Sequence, residues 1–284
     1  MMCAWKDFLN LLPGWMRSDV DMAGKETLRE LRLRVNFPPE LISGDGCLWL
    51  QRSVTVEDLN YIVNVASRYS PWCAASSSEG FLTAKGGHRI GLCGEAVMKH
   101  GMVSSIQNLT SLCIRVARDF PGIGAGIEKM RGSVLILGPP GWGKTTLLRD
   151  MIRQIGKKET ICVADERGEL FPEGLERGRH TDVLSGCPKK KAILMLLKTM
   201  GPKWIAVDEI TDAEDCEALI QASNCGVHLL ASAHASSPSD IYRRSVYRKL
   251  LENHIFHVVC ILQKDCSYSM ERVEKWAASG LGLF

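Results

Sequence analysis

None of the eleven cysteines forms a C-x-x-C pair, which removes the usual spacing of structural zinc sites and dithiol redox centres. Cys162 and Cys260 sit inside apolar runs, where a thiol acts as a small hydrophobe. Free buried thiols in a reducing cytosol are expected, rather than disulfides. No stretch approaches the eighteen or so apolar residues of a membrane-spanning helix. The longest apolar runs, 134–137 and 255–262, are strand-sized. The N-terminal segment mixes Lys6 and Asp7 with its apolar residues and has no small-residue cleavage site, so a signal peptide is not expected. A net charge of +3 gives no bulk attraction for nucleic acid, although it allows a local basic groove. There is no aromatic-basic RNA motif, no internal repeat and no low-complexity tract.

What the sequence does contain is an ordinary globular mixture, 45% apolar and 24% charged over 284 residues, a length that suggests two domains. Trp5, Phe8, Leu9 and Leu12 form one apolar face of a short amphipathic helix ending near Pro13–Gly14. That face can dock on its own core, or on a membrane or partner. Residues 30–36 alternate as a half-buried strand, and 47–50 follow as another. Residues 55–69 read as a helix with a capping box from Thr55 and Asp58. Strands are expected at 81–84 and 89–97, joined at Gly86–Gly87, and at 102–106 and 112–117. The first 122 residues thus read as a small α+β domain. The loop-rich stretch 121–126 marks a connector, and residues 123–284 form a second domain.

In that second part, apolar runs at 133–137, 160–164, 204–207, 227–232 and 255–262 alternate with helices at 144–155, 191–200, 212–224 and 238–252. Continuous apolar strands between helices imply an α/β domain with a buried parallel sheet covered on both faces. Lys189–Lys191 read as a solvated helix start.

The segment Gly138, Pro139, Pro140, Gly141, Trp142, Gly143, Lys144, Thr145, followed by Thr146, fits G-x-x-x-x-G-K-[ST] between a strand and a helix. Its glycines let backbone N–H groups turn inward around phosphate oxygens, and the helix N-terminus faces the same anion. Lys144 is the mobile cation for the β- and γ-phosphates, and Thr145 supplies a hydroxyl to Mg²⁺. ATP and Mg²⁺ are therefore the expected ligands. Trp142 either packs on the sheet edge or touches the nucleotide. A second motif closes the strand 204–207 with two carboxylates. Asp208 is the candidate to organise Mg²⁺, and Glu209 is the candidate base for an attacking water. Asp212 is the better cap for the next helix, which leaves that pair free.

A third acidic cluster, Asp165-Glu-Arg-Gly-Glu169, follows the strand 160–164, and His228 and His234 flank a later strand. The order of phosphate loop, acidic cluster, Asp-Glu strand and paired histidines resembles the secretion ATPase superfamily of type II secretion and type IV pilus motors, with its Walker A, Asp box, Walker B and His box. The stretches 86–94, 114–118 and 178–188 are similar to a sporulation branch of that superfamily. The resemblance implies a RecA-like P-loop core after a smaller domain and a hexameric ring with ATP between subunits. It also implies a cytoplasmic, mother-cell motor docked on a membrane-embedded sporulation complex. By the same resemblance Glu169, closing the Asp box, is a second candidate for activating water, and the base stays open between Glu169 and Glu209. This chain has Asp208 where many pilus motors have glycine. His228 and His234 become candidates for a γ-phosphate or sensor role. Arg89, Arg115 and Arg118 become candidates to reach a neighbouring subunit's nucleotide, and the role of Arg179 is open.

Two other functions fit the same loop: a RecA-like nucleic-acid motor, and a nucleotide-gated scaffold without turnover. Nucleic acid is not expected as a partner, and three acid positions exceed what binding alone requires.

Overall fold

A computed structural model describes residues 3–44, 46–68, 80–172, 174–235 and 238–273. It divides into two compact units, Met1–Asp119 with Pro172–Leu175, and Phe120–Phe171 with Glu176–Phe284.

The first unit begins with two helices, α1 (Trp5–Leu11) and α2 (Gly14–Ala23). The break expected at Pro13–Gly14 is present, but the chain starts a new helix there. Proline suits such a start because its fixed φ fits the turn and its missing N–H would have no partner. Phe8 and Leu12 are fully buried in the unit's core with Met16 and Val20. The amphipathic stripe therefore faces its own domain. The strands β1 (Leu28–Arg34), β2 (Glu40–Ser43), β3 (Gly46–Trp49), β4 (Phe81–Thr83), β5 (Arg89–Lys99) and β6 (Met102–Arg115) form an antiparallel sheet ordered β3-β2-β1-β6-β5-β4.

Helix α3 (Val56–Ala66) carries the expected capping box, with Asp58 N–H donating to Thr55 Oγ1 at 3.3 Å and Thr55 N–H to Asp58 Oδ2 at 3.0 Å. It ends before Tyr69, which lies outside the described residues. The two strands expected between 102 and 117 are one, because a bulge opposite Gly94 absorbs the irregularity without ending the pairing. A Cβ on Gly94 would lie 2.4 Å from the Gln107 carbonyl oxygen, so the bulge requires glycine.

In the second unit, β7 (Val134–Leu137), β8 (Ile161–Asp165), β9 (Thr181–Ser185), β10 (Trp204–Val207), β11 (His228–Ala233), β12 (Val258–Leu262) and β13 (Tyr268–Arg272) form a sheet ordered β13-β12-β7-β11-β10-β8-β9. Only β13 is antiparallel. Alternate residues of β7 enter two separate cores, Val134 and Ile136 on one face, Leu135 and Leu137 on the other. Helix α4 (Lys144–Ile155) covers the first face. Helices α5 (Lys189–Met200), α6 (Ala213–Asn224), α7 (Pro238–Arg243) and α8 (Ser245–Glu252) lie on the second. The single helix expected over 238–252 is broken at Arg244. Asp212 caps α6 by accepting from Asp215 N–H. Because the strands run parallel, the segments that follow β7, β8, β10 and β11 all emerge along one edge of the sheet.

Candidate nucleotide site

The loop after β7 has the backbone geometry of a candidate anion cradle. Gly141 and Gly143 have φ of +79° and +91°, a left-handed conformation that glycine adopts without strain. Space is open within 4 Å of where their Cβ atoms would stand, so the backbone faces a free concavity that suits phosphate oxygens. Trp142 is partly buried and packs against the α4-side core.

Lys144 lies across the mouth of this cradle. Its Nζ donates to Gly138 O at 2.8 Å and Pro139 O at 3.0 Å, and lies 2.9 Å from His234 Nδ1. Burial pulls the Lys144 pKa down, against the opposing charges of Glu209 and Asp208. His234 Nε2 is 2.9 Å from Glu209 Oε1. With Lys144 donating to Nδ1, the imidazole donates from Nε2, and one hydrogen-bonded chain runs from Lys144 through His234 to Glu209.

Asp208 is fixed from three sides. Thr145 Oγ1 donates to its Oδ2 at 3.4 Å, Ser232 Oγ to its Oδ1 at 3.3 Å, and Glu209 N–H to Oδ1 at 3.0 Å. No group of three His, Cys, Asp or Glu side chains able to hold a metal occurs among the described residues. A lone hydroxyl and carboxylate suit Mg²⁺, which keeps most of its waters and takes oxygens from bound phosphates.

Beside this pair a cavity of about 70 Å³ is lined by Thr145, Asp165, Glu166, Glu169, Lys189 and Glu209, with Asp208, Arg167 and Thr211 also on its wall. Within the Asp box, Asp165 is a loop former. Its carboxylate accepts the N–H groups of Glu169, Leu170 and Phe171. Burial raises its pKa in spite of those three donors. Arg149 of α4 holds the same loop through the carbonyls of Glu169 and Leu170. Together these hydrogen bonds place Glu169 on the cavity wall.

Lys189 corrects the sequence reading. It is 9% exposed, and its Nζ lies 2.9 Å from Glu166 Oε2, 3.4 Å from Asp215 Oδ2 and 3.3 Å from Thr211 Oγ1. Burial opposes its charge, but Glu166 and Asp215 outweigh it and raise its pKa. No local signal separates Lys189 from Lys190 and Lys191. Only the convergence of β8, α5 and the segment after β10 shows it.

His228 is also corrected. It pairs in register with Trp204 at the start of β11, its ring tilted against that indole with centroids 4.9 Å apart. His234 follows the other end of the strand, roughly 20 Å away at about 3.3 Å per residue. The two histidines flank one strand, and only His234 meets the phosphate loop.

In the first unit, Arg89 and Arg115 are direct cross-strand partners in β5 and β6. Arg89 lies over Phe81 at 3.8 Å, and Arg115 Nε is 3.6 Å from Glu30. Arg118 donates from one nitrogen to the carbonyls of Lys25, Glu26 and Leu28. It clamps a turn of its own unit.

A family model described as "Sporulation stage III, protein AA" matches residues 7–272. The chain is 36% identical over 246 residues to stage III sporulation protein AA of Bacillus subtilis, across 81% of this chain and 80% of that one. Among solved structures it is similar to the Legionella pneumophila ATPase DotB, with a TM-score of 0.61 at 17% identity over 92% of this chain and 80% of that one. It is also similar to the pilus retraction motor PilT with bound ADP, with a TM-score of 0.61 at 16% identity over 86% and 76%. The fold of the second unit is thus the RecA-like P-loop core of secretion ATPases.

Proposed function

Because this chain belongs to the sporulation stage III, protein AA family, we propose that it binds Mg²⁺–ATP at Gly138–Thr146 and hydrolyses it to ADP and phosphate. It would do so as a cytoplasmic ring, a homo-hexamer docked in the mother cell on a membrane-embedded complex. Among the described residues no helix is long and apolar enough to cross a membrane, so the docking would run through partners.

The observation that carries this reading is the chain from Lys144 through His234 to Glu209. A loop that only held phosphate would need the lysine and the amides. This one also ties the lysine to a carboxylate on the water side. Phosphate oxygens would compete with His234 for the Lys144 ammonium, so nucleotide binding would be felt at Glu209. We assign the base to Glu209 because His234 orients its carboxylate, as a third group orients a base in other hydrolases. Glu169 lines the same cavity and would shape the water site. Thr145 and Asp208 would hold Mg²⁺, whose charge would stabilise the phosphoryl oxygens as the bond to the leaving group breaks. Arg89 and Arg115, paired on one sheet, are the proposed arginines for a neighbouring subunit's nucleotide.

Phosphate release and native mass, measured together for wild type and for Lys144→Ala, Glu209→Gln and Glu169→Gln, test this. Equal turnover in all four would remove the enzyme reading. Full turnover in Glu209→Gln with loss in Glu169→Gln would move the base to Glu169. Turnover stimulated by a nucleic-acid polymer would favour the helicase-like alternative.

A further inference from the structure

Strand β9 is the outer strand of the second unit's sheet, bonded to β8 on one side only among the described residues. The ladder can be read residue by residue. Ile161 N–H donates to His180 O and Gly186 N–H donates to Asp165 O. In a parallel pair the bonding residues alternate, so 180, 182, 184 and 186 direct their backbone groups at β8. Val183 and Ser185 therefore turn theirs to the open edge, while Thr181 N–H bonds locally to Gly178 O.

Between this edge and α5 runs a groove of about 630 Å³. Its wall carries Leu184, Met195, Leu196 and Met200, and its open end carries Arg177 and Arg179. Met195 and Met200 are each 44% exposed, an unusual outlay of flexible apolar surface on one helix. Arg177 and Arg179 are exposed and, among the described residues, neither is in an ion pair, while a single carboxylate, Asp182, lines the same groove. The groove thus joins outward backbone groups, an apolar wall and an end where two arginines outnumber one aspartate.

We propose that this edge takes an extended acidic segment of a partner protein as an added strand. Backbone bonds to Val183 and Ser185 would give affinity, the methionine wall would hold alternate apolar side chains, and Arg177 and Arg179 would select acidic residues. The site is separate from the phosphate loop and stands whether or not that loop turns over.

Anisotropy titration of the full chain with labelled ten-residue peptides tests it. One peptide alternates Val with Glu, one alternates Val with Lys, and one is the Val–Glu peptide N-methylated at alternate amides. The acidic peptide is expected to bind, and the basic and N-methylated ones to bind at least about tenfold more weakly. Arg177→Glu with Arg179→Glu, and separately Met195→Asp, should weaken the acidic peptide while thermal unfolding stays unchanged. Val183→Pro removes one outward N–H and should weaken it as well. Equal binding of all three peptides, or no response to the arginine pair, would overturn the proposal. So would a single-stranded oligonucleotide that outcompetes the acidic peptide, or self-association through this edge that the peptide does not displace.

Discussion

The two sheets of this chain solve burial differently, and the placement of the candidate site follows from the difference. In the first unit the sheet is antiparallel and helices cover one face, so β1 alternates buried Leu31 and Leu33 with exposed Arg32. Such a sheet scatters its loops to both ends. In the second unit β7, β8 and β10 are buried on both faces, and the parallel run gathers the ends of four strands at one edge. Lys144, Asp208, Glu209 and His234 come from three of those ends and Glu169 from the fourth. A site assembled from distant sequence needs that geometry, and the first unit offers nothing like it among its described residues.

The contrast can be broken by substitution. The largest effect is expected for Lys144→Ala, which should cut phosphate release by about a hundredfold or more and leave the first unit's melting unchanged. Nearly as severe, Lys189→Ala strands Asp215 and Glu166 without their buried cation and should destabilise the second unit by on the order of 3 kcal/mol, read by chemical denaturation. Lys189→Arg should recover part of that.

In the first unit the analogous buried polar group is His88, fully buried, 3.1 Å from Ala4 O and accepting Ala117 N–H at 3.1 Å. Burial lowers its pKa, against the Ala4 contact and the Asp7 charge. The unfolded chain therefore binds the proton more readily, and the stability that His88 lends is complete above about pH 6.5 and lost as pH falls below it. His88→Ala should cost about 2 kcal/mol by the cavity alone and flatten this acid dependence. Nucleotide affinity should not move. The smallest effect belongs to Thr55→Ala, about 1 kcal/mol for a lost helix cap, seen as a lower midpoint for the first unit. If the unit-one variants abolished nucleotide binding, or Lys144→Ala melted the first unit, the separation of roles would fail.

The strand, loop and helix around Gly138–Thr146 were legible because strand, glycines, Lys144 and Thr145 are contiguous and each has a local reason to be there. The same holds for the cap at Thr55 and Asp58 and for Asp212. The errors have a common origin. Lys189 looked solvated because its sequence neighbours are, and His228 looked like a γ-phosphate or sensor residue because it flanks the same strand as His234. Strands β2, β9 and β13 were unread because their apolar positions are too few for periodicity to register, and helix α2 was unread although Met16 and Val20 stand at helical spacing. The clamp of Arg118 on the carbonyls of residues 25, 26 and 28 was likewise invisible in the sequence.

By itself, then, the sequence determined the two-part organisation it expressed as a change of hydrophobic period, the glycine loop between strand and helix, and the acids placed after apolar strands. These are properties of short windows, where local conformation and side-chain chemistry suffice. Only the tertiary structure decided which acid meets His234, which lysine is buried, which histidine is at the wrong end of β11, and which sheet edge stays open. Each of those depends on contacts between residues tens of positions apart, and strand order, which no local pattern encodes, sets them.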